Sequence, residues 1–288
     1  MRSFPTITVI IPCYNDGEYL REALDSVFHQ SSDDWEIIVV DDCSTDVVTQ
    51  RVLSGICDER VRLFRTQEQS GPAVARNLAI RNAAGSYILP LDADDKIGTS
   101  YLEKAKNLLD SSMDLEIVYC HASLFGLSHG PWKLPSFEPS RFVLDNMIFS
   151  SALFRKSTWE RVGGYSENML EGMEDYDFWI KILSHGGRVH CINECLFHYR
   201  IKRKSRTTVL LSKKNDDISA AYAKLLENNI SFFSRKENVR VVFLELQKRL
   251  HKEKLLESSF VWRYCFFYLV KIELAARELV AKLVRGVD

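Results

Sequence analysis

The sequence has no apolar run long enough to cross a membrane. Its longest uncharged apolar stretch near the C-terminus, residues 264–270, is bounded by Arg263 and Lys271, and a spanning helix needs roughly 20 residues. The first residues lack the charged region, apolar core and cleavage site of a secretory signal. The seven cysteines are odd in number and scattered, which argues against a disulfide framework. These absences predict a cytoplasmic protein.

Zinc binding is also disfavoured by the cysteine spacing. Cys191 and Cys195 lie in a strand-like stretch with no second pair of cysteines or histidines near them in the sequence. A structural zinc site normally needs four such ligands. Buried thiols are therefore the favoured interpretation of this pair.

Net charge is low, but the two signs are unevenly distributed. From Ile201 onward there are 19 Lys and Arg against 10 Asp and Glu, whereas the whole chain has a net charge of −1. An acidic body argues against nucleic-acid binding. The basic, aromatic-rich tail predicts peripheral contact with an anionic membrane at its inner face, or a homodimer, or packing of the aromatics on the rest of the chain.

Strand-like and helix-like segments alternate over the first 120 residues. Apolar runs rich in Val and Ile are typical of strands buried on both faces, and residues with helical periodicity separate several of them. The alternation predicts an α/β fold with a doubly wound, mostly parallel sheet. The predicted strands are residues 6–12, 35–40, 61–65, 87–91 and 115–120, and the predicted helices are residues 19–28, 72–84 and 100–109.

Polar residues predict where these helices begin and end. Asn15 or Asp16 can cap the first helix, Ser100 and Glu103 form a capping-box pattern, and Gly85 follows the second helix. Farther on, the pattern predicts a long loop at residues 126–141, a helix at 175–183, a strand at 188–199 and helices from 212. The predicted divisions are residues 1–125, 126–211 and 212–288.

Polar residues follow three of the predicted strands. They are Tyr14-Asn15, Asp41-Asp42 and the segment from Asp92 to Asp94. In doubly wound sheets ligands bind beyond the carboxyl ends of the strands, so these residues should share one crevice. Asp92 and Asp94 alternate on an extended segment and can address one site. Carboxylates suit Mg²⁺ or Mn²⁺, which also use substrate phosphates as ligands.

Seven short motifs occur in a fixed order between residues 5 and about 207. The chain resembles an inverting glycosyltransferase of the GT-A fold, in glycosyltransferase family 2. The motifs that carry the resemblance are VIIPCYN (9–15), VVDDCSTD (39–46), GPAVARN (71–77), LDADD (91–95), GGY (163–165), EDYD (174–177) and HYR (198–200).

The resemblance implies a GT-A domain with a helical C-terminal extension. Residues 1–125 would bind the nucleotide sugar and residues 126–211 the acceptor. The implied reaction moves a hexosyl or N-acetylhexosaminyl group from a UDP-sugar to a hydroxyl of a glycan or lipid-linked glycan. It inverts the anomeric carbon, uses Mn²⁺ or Mg²⁺, and belongs to polysaccharide biosynthesis.

Donor-site roles follow from the matching positions. The resemblance implies that Asp94 binds the metal, that Asp92 lies by the ribose or donor sugar, and that Arg76 faces the phosphates. The base pocket would be formed by Pro12, Tyr14, Asp41 and Asp42, with Tyr14 stacking on uracil and Asp42 accepting a hydrogen bond from its imide.

Glu174 and Asp175 match the acidic pair under the acceptor, and Asp175 matches the general base. A carboxylate within hydrogen-bond reach can remove the proton from an attacking alcohol. An acidic residue at a helix N-terminus can also serve only as a cap. Trp179, one turn later, is expected to pack in the core.

The basic segment after His198 resembles a mobile clamp for the diphosphate. Arg200 and Arg206 are favoured over the neighbouring lysines, because a guanidinium binds phosphate in a bidentate manner. His198 is either a metal ligand or a packed, hydrogen-bonded histidine. The sequence departs from the family pattern at Cys43, where glycine is usual and the turn should need other backbone angles or a small rearrangement. It departs again at Lys96, beside the expected metal site.

Two rival functions remain. A nucleotidyltransferase would carry a Gly-rich, basic loop after the first strand, whereas this chain has Pro12-Cys13-Tyr14-Asn15. A non-catalytic nucleotide-sugar sensor would be expected to lack Asp94 or Asp175, and both are present.

Overall fold

The structure is a computed structural model that describes residues 5–203 and 215–252. Residues 5–137, 147–203 and 215–225 form one compact unit, and residues 138–146 and 226–252 belong to a second. None of the helices described could span a membrane, since none combines sufficient length with sufficient apolar character. Arg206 and the part of the basic, aromatic-rich tail after residue 252 lie outside the described residues.

A single mixed sheet forms the centre of the first unit. In the described residues it has the order β3-β2-β1-β4-β8-β6-β9-β5, and β7 pairs with β6. Its strands are β1 (Ile7–Cys13), β2 (Trp35–Asp41), β3 (Val61–Arg65), β4 (Tyr87–Pro90), β5 (Lys96–Ile97), β6 (Leu115–Gly126), β7 (Gly130–Trp132), β8 (Leu153–Arg155) and β9 (Arg188–Ile201).

The long ladders of the sheet are parallel. β1 pairs in parallel with β2 and β4, β2 with β3, and β6 with β9. The short strands β5, β7 and β8 run antiparallel to their neighbours. Every residue of β2 is buried, as expected for a parallel strand covered on both faces. The α/β class and the predominance of parallel pairing among the long strands agree with the sequence prediction.

Helices connect the strands and continue beyond the sheet. They are α1 (Gly17–Phe28), α2 (Val47–Ser54), α3 (Pro72–Asn82), α4 (Tyr101–Ser111), α5 (Lys156–Val162), α6 (Glu174–Ser184), α7 (Asn215–Asn228), α8 (Ile230–Phe233) and α9 (Lys236–Lys252). The sequence prediction missed the helices α2 and α5 and the short strands β5 and β7. Strand β7 interrupts the expected loop at 126–141.

Two local interactions predicted at helix ends do not form. The capping box does not form, because Ser100 makes no side-chain capping bond and the Glu103 carboxylate accepts a hydrogen bond from the Ser31 hydroxyl at 2.6 Å. Gly85 does not end α3, which stops at Asn82. Its backbone N–H instead donates to the Thr8 hydroxyl at 3.0 Å. In both cases a tertiary partner replaces the local one.

Gly17 is the point of closest approach between α1 and α2. Its N–H donates to the Thr49 hydroxyl at 2.7 Å, and a Cβ added there would lie 2.3 Å from Thr49 Cα. We expect Gly17→Ala to lower the free energy of unfolding by about 2–3 kcal/mol, since overpacking forces the backbone apart.

Gly55→Ala is the matched control for this prediction. Its added Cβ would meet nothing closer than 3.4 Å, so its free energy of unfolding should change by less than about 0.5 kcal/mol. Thermal denaturation of both variants followed by circular dichroism tests the comparison. Equal melting temperatures for the two variants would contradict it.

Candidate active site

Hydrogen bonds join the loops that follow β1 and β2. Asn15 adopts a left-handed conformation with φ 54°, which asparagine tolerates better than most residues. Its side-chain oxygen accepts the N–H groups of Thr45 and Asp46 at 2.8 and 3.1 Å. Tyr14, beside it, keeps 37% of its surface exposed. An exposed ring at this position suits the expected stacking on a base, which stays a prediction.

Asp41 is a buried residue that shapes the β2 end. One carboxylate oxygen accepts the Ser44 N–H at 2.8 Å, and the other pairs with Arg65 at 3.0 Å. Both oxygens therefore have partners within the protein. The structure supports a structural contribution of Asp41 to the predicted base pocket, and a direct contact with the nucleotide stays a prediction.

Asp42 organises the loop that leads into α3. Its buried carboxylate accepts hydrogen bonds from the Thr66 hydroxyl and the Ser70 N–H, both at 2.9 Å, and from the Gly71 N–H at 2.8 Å. Any base bound by Asp42 must share the carboxylate with these donors. Asp42 would then serve both to build the pocket and to bind the nucleotide.

Cys43 occupies the left-handed region that the usual glycine would tolerate, with φ 58°. Cysteine is thus accommodated in the left-handed region, and the expected adjustment of the turn relative to the family stays a prediction. Its thiol donates to the Thr66 carbonyl oxygen at 3.1 Å, which helps to hold the turn in a conformation that costs a residue with a Cβ about 1–2 kcal/mol.

Arg76 bridges the loop after β4 and the first turn of α6. Its side chain is 2% exposed, and its Nη2 and Nη1 lie 2.7 Å from Asp92 Oδ1 and 2.9 Å from Glu174 Oε1. These carboxylates raise the pKa of Arg76 despite its burial. The guanidinium thus fixes the end of β4 relative to the start of α6. Its expected role toward phosphates stays a prediction.

The three aspartates after β4 differ in exposure. The Asp92 side chain is 34% exposed and the Asp94 side chain 17%, whereas Asp95 is buried and accepts the Arg200 N–H at 2.8 Å. Burial raises the pKa of Asp95 well above its usual range, and the neighbouring carboxylates add to the rise. Asp95 therefore supports the loop, while Asp92 and Asp94 remain accessible.

Lys202 contacts both the loop after β1 and the loop after β4. Its ammonium lies 2.8 Å from Asp94 Oδ2 and 2.5 Å from Asp16 Oδ1. Asp16 stands at the N-cap position of α1 but makes no side-chain capping bond, so the expected cap is wrong. Burial raises the pKa of Asp94, and the Lys202 ammonium opposes that rise. The sequence alone favours Arg200 and Arg206 over this lysine as ligands for the diphosphate.

Arg200 is anchored beneath the acidic loop. Its Nε donates to the Asp94 carbonyl oxygen at 2.8 Å, and its Nη2 pairs with Glu22 at 2.8 Å. The guanidinium carbon lies 4.6 Å from the centre of the Tyr19 ring and 4.3 Å from that of Phe125. Such contacts fix the backbone of β9 beside the site.

His198 and Lys96 make contacts away from Asp94. His198 Nδ1 is hydrogen-bonded to the Ser123 hydroxyl at 2.8 Å, and burial lowers the pKa of the imidazole. These contacts favour the packed, hydrogen-bonded interpretation of this histidine. The Lys96 ammonium pairs with Glu22 at 3.3 Å and lies 4.2 Å from the Phe125 ring centre.

Asp175 lies in the first turn of α6. Its Oδ1 accepts the Tyr176 N–H at 2.8 Å, and the N-cap position belongs to Met173, which is left-handed with φ 63°. Burial raises the pKa of Asp175 to about 6, Glu174 adds to the rise and Arg76 opposes it. A carboxylate with this pKa is matched to proton removal near neutral pH. Trp179 is buried in the core behind it, as predicted.

The donor set suits a metal that arrives with its substrate. Within residues 5–203 and 215–252 no three or more His, Cys, Asp or Glu side chains could hold a metal ion by themselves. Asp94, however, already has a cationic partner in Lys202, which shows that positive charge is accommodated there. Mg²⁺ and Mn²⁺ are commonly held by one or two carboxylates plus substrate phosphates, and Asp94 fits that arrangement.

The sequence matches a known family and named relatives. Residues 8–163 match the family described as Glycosyl transferase family 2. The putative teichuronic acid biosynthesis glycosyltransferase TuaG of Bacillus subtilis (strain 168) is 31% identical over 208 residues, which cover 70% of this chain and 81% of the relative.

Solved structures share the fold. The structure of S. aureus TarS 1–349 with UDP-GlcNAc matches with a TM-score of 0.58 and 20% identity, covering 82% of this chain and 79% of that one. The mannosyltransferase PcManGT of Pyrobaculum calidifontis, with GDP-Man and Mn²⁺, matches with a TM-score of 0.57 and 19% identity, covering 99% and 88%. At these identities the likeness concerns the fold.

Proposed function

Because the chain belongs to glycosyltransferase family 2, we propose that it transfers a sugar from a UDP-sugar to an acceptor hydroxyl with inversion and with the help of a divalent metal. The observation that carries the proposal is the ion-paired chain Asp92–Arg76–Glu174. It links the acidic loop after β4 to the helix that bears Asp175. The buried Arg76 cation supports the proposal because it holds the loop proposed to bind the donor beside the helix that carries the proposed general base.

The reaction proposed is a single displacement. The acceptor oxygen attacks the anomeric carbon from the face opposite the diphosphate, and Asp175 takes the hydroxyl proton as the new C–O bond forms. The bond to the diphosphate oxygen breaks at the same time, and the nucleoside diphosphate departs. A metal bound at Asp94 would stabilise the negative charge of this leaving group. No covalent intermediate with the protein is needed.

The base pocket is proposed at the ends of β1 and β2. Pro12 and Tyr14 would contact the base, and Asp42 would accept its imide hydrogen while Asp41 holds the turn. The TarS structure with UDP-GlcNAc supports a uridine nucleotide, whereas the PcManGT structure contains GDP-Man. We therefore place the UDP-sugar first and treat the GDP-sugar as the alternative that the experiment must exclude.

The acceptor is proposed to be a glycan or lipid-linked glycan in polysaccharide biosynthesis. The name of TuaG, which refers to teichuronic acid, supports this class. We further propose that the tail from about residue 212 brings the enzyme to an anionic membrane surface or to a second copy of the chain. The excess of Lys and Arg after Arg200 supports that proposal.

Calorimetric titration with UDP-, GDP- and TDP-sugars in the presence of Mn²⁺ tests the donor assignment. A UDP-sugar is expected to bind most tightly, and chelation of Mn²⁺ should weaken its binding. Tighter binding of GDP-mannose would overturn the uridine assignment. Failure of all three donors to bind would overturn the proposed function.

A further inference from the structure

Lys202 ties together the loops that follow β1 and β4. These strands are parallel neighbours in the sheet, with Ile10 opposite Pro90, so their carboxyl ends lie at the same edge. The Lys202 side chain is 16% exposed, and its ammonium reaches Asp16 from one loop and Asp94 from the other. The Tyr19 ring centre lies 5.2 Å away. The lysine is therefore part of the site rather than of a solvated basic surface.

The backbone before Lys202 is held independently of these contacts. The Arg200 N–H is fixed by the Asp95 carboxylate, and the Arg200 side chain by Glu22 and by the Asp94 carbonyl oxygen. β9 ends at Ile201, one residue before Lys202. The Lys202 side chain can consequently change partners without movement of the strand.

An ammonium and a divalent ion compete for Asp94. A metal ligand must approach a Mg²⁺ or Mn²⁺ ion to about 2.1 Å, and a second cation 2.8 Å from the same carboxylate would then be repelled. The anionic diphosphate of the donor removes the conflict, because it offers oxygens to both cations. Charge balance at Asp94 therefore depends on whether the donor is bound.

We propose that Lys202 is the internal counter-ion of Asp94 and Asp16 in the free enzyme, that it gives up Asp94 to the metal, and that its ammonium then binds the donor diphosphate. This inference rests on the proposed metal-binding role of Asp94. It gives Lys202 a role at Asp94 in addition to the diphosphate binding expected of the basic segment. It also makes binding of metal and nucleotide mutually dependent, since each bound ligand makes the binding free energy of the other more favourable.

Manganese binding to the purified full-length protein tests the proposal. Free Mn²⁺ is followed by its electron paramagnetic resonance signal, with and without UDP, for wild type, Lys202→Met and Lys104→Met. Lys202→Met should bind Mn²⁺ alone about tenfold more tightly than wild type and bind UDP with Mn²⁺ about tenfold less tightly, as expected for loss of one charged contact in each state.

Lys104→Met is the matched control. It removes the same charge from a lysine of α4 that pairs with Glu194, so both affinities should equal those of wild type. Lys202→Gln provides a second neutral variant if the methionine variant folds poorly, and Lys202→Arg should retain the weak Mn²⁺ binding of wild type.

Two results would overturn the inference in distinguishable ways. Equal or weaker binding of Mn²⁺ alone by both neutral Lys202 variants, with normal Mn²⁺-dependent UDP binding by wild type, would reject the role of Lys202 and leave the proposed function intact. Absence of Mn²⁺ binding to wild type both with and without UDP would reject the inference together with the metal-dependent reaction.

Discussion

Replacement of Asp175 by asparagine is expected to lower the turnover number by about 10²- to 10⁴-fold, the usual contribution of a general base. Asparagine keeps the shape of the side chain but cannot accept the acceptor's proton. Donor affinity should not change, because Arg76 still holds Glu174 and Asp92 in place. Steady-state kinetics together with calorimetric titration of the UDP-sugar separate the two effects.

Glu160→Gln is the control. It removes an exposed carboxylate from α5 and should leave the turnover number within about twofold of wild type, because exposed substitutions of this kind are nearly neutral. The opposite pattern for Asp175→Asn would reverse the assignment. If that variant lost donor affinity but kept its turnover number at saturation, Asp175 would belong to the donor pocket.

The pH dependence of the reaction follows from the same carboxylate. With a pKa of about 6, Asp175 is ionised and competent above pH 6 and becomes protonated below it. The turnover number should therefore reach a plateau above about pH 7 and fall about tenfold for each pH unit well below 6. A flat profile between pH 5 and 8 in the wild type would contradict the assignment of Asp175 as the base.

The contribution of Asp175 to the free energy of unfolding should fall as the pH rises, whereas the turnover number should rise. The pKa of Asp175 is raised to about 6 in the fold, above the value of about 3.9 for a free aspartate. The protonated form is thus favoured in the fold, and this contribution, present below pH 3.9, is lost as the pH rises through 6. Asp175→Asn should accordingly stabilise the protein at pH 8 by up to about 3 kcal/mol and much less at pH 4.

The sheet, and the sheet edge at which the candidate residues converge, could be predicted because their causes are local. Buried parallel strands appear as continuous Val- and Ile-rich runs, and their carboxyl ends are known once the strands are placed. Helix α2 was missed because Val47 and Val48 are exposed, so no apolar stripe marks it. The usable signal was Asp46, whose carboxylate caps the Thr49 N–H at 2.8 Å.

The contacts that define the site could not be predicted because their partners are distant in sequence. Arg76 and Glu174 are separated by 98 residues, and their 2.9 Å contact depends on the packing of α6 against β8, where the Phe178 and Phe154 ring centres lie 5.1 Å apart. In the sequence Lys202 lies in a run of basic residues, and nothing local shows which of them reaches the site. The structure distinguishes Lys202 from Arg200 at the end of β9. Arg200 pairs with Glu22, whereas Lys202 pairs with Asp94.

Asp94→Ala is expected to abolish the metal-dependent part of donor binding. The variant loses the carboxylate that would hold the ion, while the proposed base pocket after β1 and β2 is untouched. The fold should survive, because Lys202 retains Asp16 as a partner and burial of the Asp94 carboxylate is itself unfavourable, as its raised pKa indicates. Calorimetric titration of the UDP-sugar with and without Mn²⁺ measures the effect.

The expected result is that Mn²⁺ strengthens donor binding by wild type and has no effect on Asp94→Ala. Asp94→Asn, which preserves side-chain shape, should behave in the same way, because a neutral amide is a poor substitute for a carboxylate toward a hard cation. Asp114→Ala is the matched control: it removes an aspartate that forms an exposed pair with Arg188 just before β6, and it should respond to Mn²⁺ like wild type. Mn²⁺-dependent affinity retained by both Asp94 variants would show that the metal, if used, is held elsewhere.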